Sequence, residues 1–209
     1  MKPLLKICGL KYPENIQEVA DLEPDFMGFI FHPKSPRNVE GVLSPVDLRE
    51  VKSHKVGVFV QKDLEELIAI ADQYQLQFVQ LHGSESPQYC EKVAKADINI
   101  IKVFSIAEPN DFDLVNDFIG LADFFLFDTK LPNAHGGHGV SFDWNMLKHY
   151  TGDTPFLLAG GISLENFDEL QKIEHQSFAG IDVNSKFEIE PGLKNIPLLR
   201  QLKSQLITL

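Results

Sequence analysis

Short runs dense in Val, Ile, Phe and Leu recur at Leu4 to Cys8, Phe26 to Phe31, Lys55 to Val60 and Phe78 to His82. They return at Asn99 to Phe104, Phe124 to Asp128, Pro155 to Ala159 and Ala179 to Val183. These runs are short for helices and rich in residues that suit a pleated surface, so eight strands are predicted. Between them the apolar spacing turns helical: Leu64, Leu67, Ile68 and Ala71 follow the cap-like Asp63, and Leu164, Phe167 and Leu170 follow Ser163. Pro13 opens a first helix, Pro87 a fourth, and Asn195 with Pro197 a last one carrying Leu198, Leu199, Leu202 and Leu206. The second and sixth helices have the weakest pattern. Strands alternating with helices imply right-handed βαβ units on a parallel sheet, and eight such units close a (β/α)8 barrel. The rival fold is an open doubly wound sheet.

No linker or composition shift divides residues 1–209, so the expectation is one α/β domain, a single (β/α)8 TIM barrel. The longest stretch without helical pattern, Thr129 to Ser141, holds Gly136, Gly137 and Gly139 and reads as a ligand loop or lid, or as a merely long loop.

Side-chain parity adds chemistry to this outline. Alternate residues of a barrel strand face the interior. If Leu5 and Ile7 face the helices, Lys6 and Cys8 face inward, and by the same rule Gln80, His82, Leu126, Asp128, Asp182 and Asn184 do too. Polar side chains from distant strands therefore converge at the carboxyl-end mouth, where barrels of this class carry their sites. Cys8 and Asp128 form an acid/base pair of the kind that moves a proton between neighbouring carbons. A free thiol titrates near 8.5, so a basic thiolate needs a cation such as Lys6 nearby. The plainer readings are a small buried hydrophobe for Cys8 and a cap or structural ion pair for Asp128. The inward, carboxyl-end position favours the catalytic one for both. For Asp182 a partner role to Lys6, and for His82 a satisfied polar role, remain equally open. Cys90 shares a helix face with Val93 and Ala94 and reads as core.

Gly160-Gly161 after the seventh strand and Asn184-Ser185 after the eighth offer backbone N–H groups where barrels commonly bind phosphate. Arg37, in Ser35-Pro36-Arg37-Asn38, has the geometry to hold a carboxylate through two hydrogen bonds, or is an ordinary surface charge. His135 and His138 lie three apart in the glycine-rich loop without evident third and fourth ligands, so no metal is predicted.

Composition narrows the function classes. Of 209 residues 44% are hydrophobic and 23% charged, enough for a core and a wetted surface, and 19 basic against 30 acidic residues give a net charge of −11. That charge disfavours nucleic acid and anionic membranes as partners. No apolar run is long enough to span a bilayer and no secretory signal precedes the first strand, so a cytoplasmic protein is expected. The two cysteines, Cys8 and Cys90, are too few for a disulfide framework and read as free thiols.

Taken together, Lys6-Ile7-Cys8-Gly9, Ser35-Pro36-Arg37, Gln80-Leu81-His82-Gly83, Phe127-Asp128, Gly136-Gly137-His138-Gly139, Leu158-Ala159-Gly160-Gly161-Ile162 and Gly180-Ile181-Asp182-Val183 resemble, in family order, the phosphoribosylanthranilate isomerases of tryptophan biosynthesis. The resemblance implies a (β/α)8 barrel without metal or organic cofactor, monomeric or homodimeric. It implies an Amadori rearrangement of N-(5-phosphoribosyl)anthranilate to 1-(2-carboxyphenylamino)-1-deoxyribulose 5-phosphate. Asp128 would then be the general acid and Cys8 the general base. Arg37 would hold the anthranilate carboxylate with His82 lining that end, and the Gly160-Gly161 and Asp182-Asn184-Ser185 segments would hold the rest of the phosphorylated ligand. Rival readings are another phosphate-binding barrel of the same pathway, such as indoleglycerol phosphate synthase or tryptophan synthase alpha, and a catalytically silent metabolite sensor. One departure stands out: where the family pattern has two serines and a glycine, this chain has Asn184-Ser185-Lys186. Either the loop does not need the positive φ of glycine or its backbone differs locally.

Overall fold

In the computed structural model, which describes residues 2–129 and 144–207, the eight runs are strands of one closed parallel barrel in sequential order. They are β1 (Leu4–Ile7), β2 (Phe26–Ile30), β3 (His54–Phe59), β4 (Phe78–Leu81), β5 (Asn99–Ile106), β6 (Phe124–Thr129), β7 (Phe156–Ala159) and β8 (Phe178–Val183). Closure pairs β1 with β8, Leu4 through Ile7 lying opposite Gly180 through Val183. The open-sheet alternative is thereby excluded. A small antiparallel hairpin of β9 (Glu188–Glu190) and β10 (Leu193–Lys194) follows the barrel.

Two separate apolar layers bear out the parity argument. Leu5, Ile7, Phe29, Val79, Phe127 and Ile181 belong to the layer between strands and helices. Phe26, Val56, Phe78, Ile101, Leu126 and Leu157 fill the interior. Phe26 meets Phe78 edge-on at 5.2 Å and Phe124 at 5.7 Å, closing the amino-terminal end of the barrel. The interior is therefore plugged with hydrocarbon below and turns polar only towards the other mouth.

The helices are α1 (Pro13–Ala20), α2 (Leu64–Tyr74), α3 (Pro87–Ala94), α4 (Phe167–Leu170) and α5 (Ile196–Leu206). The predicted caps of the two longest helices work as expected, Asp63 accepting from the Glu65 and Glu66 N–H groups and Asn195 from Leu198, and before Pro87 the structure adds Ser86, which accepts from Tyr89. The second and sixth positions, where the pattern is weakest, hold 3-10 turns at Pro45–Leu48 and Trp144–His149. The fifth position differs from a regular helix as well. Pro109–Phe118 is wound as 3-10 helix, begun by Asp111, which accepts from the N–H groups of Ala107 and Glu108. The segment after Ser163 starts as one 3-10 turn, Leu164–Asn166, before α4. Among the described residues no helix is long and apolar enough to cross a membrane.

Candidate active site

At the carboxyl-end mouth a cavity of about 230 Å³ opens onto Cys8, His82, Asp128, Asp182 and the loops after β7 and β8. Sequence reasoning therefore brings together residues that are up to 177 positions apart, Cys8 to Ser185.

Cys8 follows β1 and its amide donates to the Val183 carbonyl at 2.9 Å, so the thiol is set by the β1–β8 seam. Gly28 on β2 makes room for it: a Cβ at that position would lie 2.7 Å from Cys8 Sγ. The thiol is buried, and burial pushes its pKa up. The Lys6 ammonium below opposes that shift without cancelling it. Lys6 and Asp182 are direct register partners across β1 and β8, which puts both side chains on the inner face, with Nζ 3.0 Å from Asp182 Oδ2. Burial alone would lower the Lys6 pKa, but the Asp182 carboxylate and Cys8 hold the amine protonated above its ordinary range. Asp182 is raised by burial, partly offset by Lys6. Both readings of Asp182 hold at once: it is the partner of Lys6, and it lines the cavity with Oδ1 buried and unbonded.

Across the mouth His82 Nε2 stands 3.6 Å from Asp128 Oδ2, and Gln80 Nε2 lies 3.1 Å from His82 Nδ1. Gln80 and His82 share the inward face, two residues apart on and just beyond β4, so one can orient the other. With the Gln80 amide donating to Nδ1, the ring proton sits on Nε2 and faces the Asp128 carboxylate. Cys90, by contrast, is sealed in the helix layer, its thiol pushed up to about 11 by burial. It is core, as expected.

The glycine pair after β7 adopts φ of 87° at Gly160 and 70° at Gly161, both in the left-handed region that favours glycine. After β8, Ser185–Phe187 forms a single 3-10 turn, and Lys186 is not among the residues with positive φ. In this chain the loop runs without the conformation that glycine would supply, as either alternative allows. Lys186 also lines the cavity.

Arg37 needs a correction of emphasis. It does hold a carboxylate along one edge of the guanidinium, but the carboxylate is the chain's own Glu188, with Nε–Oε1 at 2.9 Å, Nε–Oε2 at 3.1 Å and Nη2–Oε2 at 2.5 Å. It does not line the cavity itself. It stands at its edge, packed with Asn184 over Gly9, where a Cβ would meet Arg37 Cδ at 2.7 Å and Asn184 Oδ1 at 2.6 Å. Glu188 and Lys194 escape sequence reasoning because a buried charge on a short hairpin looks like any surface charge. The Pro191-Gly192 turn signal between them was the available hint. The glycine-rich segment with Gly136, Gly137, His135, His138 and Gly139, and the lid expected at Thr129 to Ser141, fall outside the described residues from position 130 onward.

Comparison with known proteins matches this geometry to a family. The profile described as N-(5'-phosphoribosyl)anthranilate isomerase matches residues 5–205. The chain is 44% identical over 207 residues to the N-(5'-phosphoribosyl)anthranilate isomerase of Parabacteroides distasonis, covering 98% of this chain and 93% of that protein. The crystal structure of phosphoribosyl anthranilate isomerase from Thermotoga maritima superposes with a TM-score of 0.83 at 29% identity, over 99% of this chain and 100% of that one. A phosphoribosyl anthranilate isomerase solved in complex with reduced 1-(o-carboxyphenylamino)-1-deoxyribulose 5-phosphate superposes with a TM-score of 0.80 at 27% identity, over 99% of this chain and 100% of that one. A parallel barrel with this mouth, matched along nearly its whole length, belongs to the N-(5'-phosphoribosyl)anthranilate isomerase family of enzymes.

Proposed function

We propose that the chain catalyses the Amadori rearrangement of N-(5-phosphoribosyl)anthranilate to 1-(2-carboxyphenylamino)-1-deoxyribulose 5-phosphate in tryptophan biosynthesis, in the cytoplasm, with Asp128 as general acid and Cys8 as general base. The observation that carries the reading is that a thiol and a carboxyl group from β1 and β6 face one small cavity whose other wall is the Gly160-Gly161 and Asn184-Ser185 pair of loops.

The roles follow from what each group can do. Asp128 protonates the ribose ring oxygen, the ring opens, and the anilino nitrogen carries the charge as an iminium. Cys8 then removes the proton from C2. The electron pair of that C–H bond becomes the C1–C2 double bond, and the π electrons of the iminium return to nitrogen, leaving a neutral enolamine. Tautomerisation moves the enol proton to C1 and gives the ketone, so no atom is gained or lost. The burial that raises the Cys8 thiol also makes its thiolate a stronger base, and Lys6 keeps that thiolate within reach. His82, with Nε2 3.6 Å from Asp128 Oδ2, helps to orient that carboxyl group. Backbone N–H groups around Gly161 and Ser185 take the phosphate, and the free edge of Arg37 takes the anthranilate carboxylate. Fixing both ends leaves the reacting carbons between acid and base.

The test is turnover with substrate formed in situ from anthranilate and phosphoribosyl pyrophosphate, followed by the change in anthranilate-type fluorescence. Binding of the ligand without turnover would reject the isomerase reading in favour of a metabolite sensor.

A further inference from the structure

A buried ionic chain runs beside the cavity and has no part in the proton transfers. Glu188 Oε1 accepts from Arg37 Nε, from the Gly192 N–H at 3.0 Å and from Lys194 Nζ at 2.8 Å, while Oε2 accepts from Arg37 Nη2. Lys194 Nζ also donates to Asn184 Oδ1 at 2.8 Å. Its backbone is clamped in turn by Asn15, which accepts from the Lys194 N–H at 2.7 Å and donates to its carbonyl at 3.1 Å. The side chains of Lys194 and Glu188 are 0% and 4% exposed. The order Arg37, Glu188, Lys194, Asn184 thus links the loop after β2 to the loop after β8.

Two features decide what such a chain does. A guanidinium has two edges that can each hold a carboxylate; Glu188 occupies the Nε–Nη2 edge, and among the described residues the Nη1 side makes no hydrogen bond. Glu188 is also saturated by Lys194 and Gly192. Burial alone would raise its carboxyl, but the hydrogen bonds from Arg37 and Lys194 bring it below the usual carboxylate range. It is a fixed anion that aims Arg37, and no mobile plug that a ligand must displace.

We infer that Glu188 and Lys194 are positioning residues that set the carboxylate-gripping edge of Arg37 relative to the phosphate loop at Asn184, so that the two anionic ends of the ligand are held as one unit. The inference rests on the roles given to Arg37 and Asn184 under Proposed function. Prealigning two distant contacts lowers the ordering cost of binding and keeps the reacting carbons in register.

The test is calorimetric binding of three probes to the full chain: reduced 1-(2-carboxyphenylamino)-1-deoxyribulose 5-phosphate, its counterpart lacking the carboxyl group, and inorganic phosphate. Glu188→Gln is expected to weaken the carboxylated ligand by about tenfold and the carboxyl-free one by less than about twofold, the loss of one charge-assisted contact. Lys194→Met is expected to weaken inorganic phosphate by about threefold as Asn184 loses its anchor. Equal losses for both sugar phosphates in Glu188→Gln, or none, overturn the positioning of Arg37, and unchanged phosphate affinity in Lys194→Met overturns that of Asn184. Should Glu188→Gln fail to fold, Glu188→Gln with Lys194→Met removes both charges and supports the same ligand comparison. Arg37→Ala separates the two levels. If it discriminates between the sugar phosphates and Glu188→Gln does not, the carboxylate reading stands and the positioning falls. If Arg37→Ala loses nothing selective, the carboxylate reading itself falls, and the positioning of Arg37 with it.

Discussion

Two buried lysine–carboxylate pairs, both near the carboxyl ends of strands, differ in how completely they are satisfied. Lys102 on β5 pairs with Glu85 at 3.2 Å and donates as well to the carbonyls of Leu81, Gly83 and Val103. Glu85 in turn accepts from the amides of Gln61 and Gly83. Every valence is used, and the result ties together the ends of β3, β4 and β5 just behind His82. Lys6 and Asp182, inside the barrel, have each other at 3.0 Å, with Asp182 Oδ1 unbonded. A buried polar atom without a partner is costly, so its persistence marks the place where a ligand is expected to supply what is missing. The saturated pair ties strand ends together, while the unsaturated pair lies beside Cys8 with Asp182 facing the cavity.

The sharpest way to break this comparison is to remove the chemistry from the unsaturated side. Cys8→Ala should lower kcat by about 10²–10⁴-fold, and affinity for the reduced product analogue should stay within a few-fold. Wild-type kcat would end the base assignment. Asp128→Asn should likewise lower kcat far more than it raises KM, because the amide keeps the shape and cannot deliver the proton. Full activity would move the acid role elsewhere, Asp182 first.

On the saturated side, Lys102→Met leaves Glu85 buried without its cation and should lower unfolding free energy by about 3–5 kcal/mol in denaturant titrations. The pH profile of the folded enzyme should not move, and a moved profile would erase the distinction between the pairs. Lys6→Met is the matching experiment inside the barrel. A general base acts as thiolate, so the burial-raised Cys8 makes kcat/KM climb with pH through and beyond the ordinary thiol range. Lys6 lowers the thiol pKa, so its loss should push that climb further alkaline. A shift to lower pH would contradict the assignment. The smallest effect is expected at Lys186, which is exposed at the cavity rim. Lys186→Gly should weaken the phosphorylated ligand by less than about threefold, the loss fading at high salt. Equal affinity at low and high salt would leave the lysine a solvated residue.

Much of this site is legible along the chain because strand stereochemistry is local. A period of two decides that Lys6 and Cys8 share a face, whatever the rest of the molecule does, and four strands read this way already converge on one mouth. Motif order carries the family likeness for the same reason, since each motif is a strand end with its turn. The helical winding was less legible. Residues 109–118 have apolar spacing compatible with either helix, and Pro109 with Asp111 starts both, so burial of Phe112, Val115 and Phe118 against the barrel decides for 3-10.

The sequence by itself determined the eight strands, most of the helices between them and which strand residues face inward, because alternation, caps and turn residues act over a few bonds. Only the tertiary structure decided that Arg37 is held by Glu188, 151 residues away, that Lys194 is sealed from water, and that Lys186 needs no left-handed backbone. Those facts depend on closure between β1 and β8, which brings the first and last parts of the chain side by side. Nothing in the local pattern of a charged residue tells which distant charge that closure will set beside it.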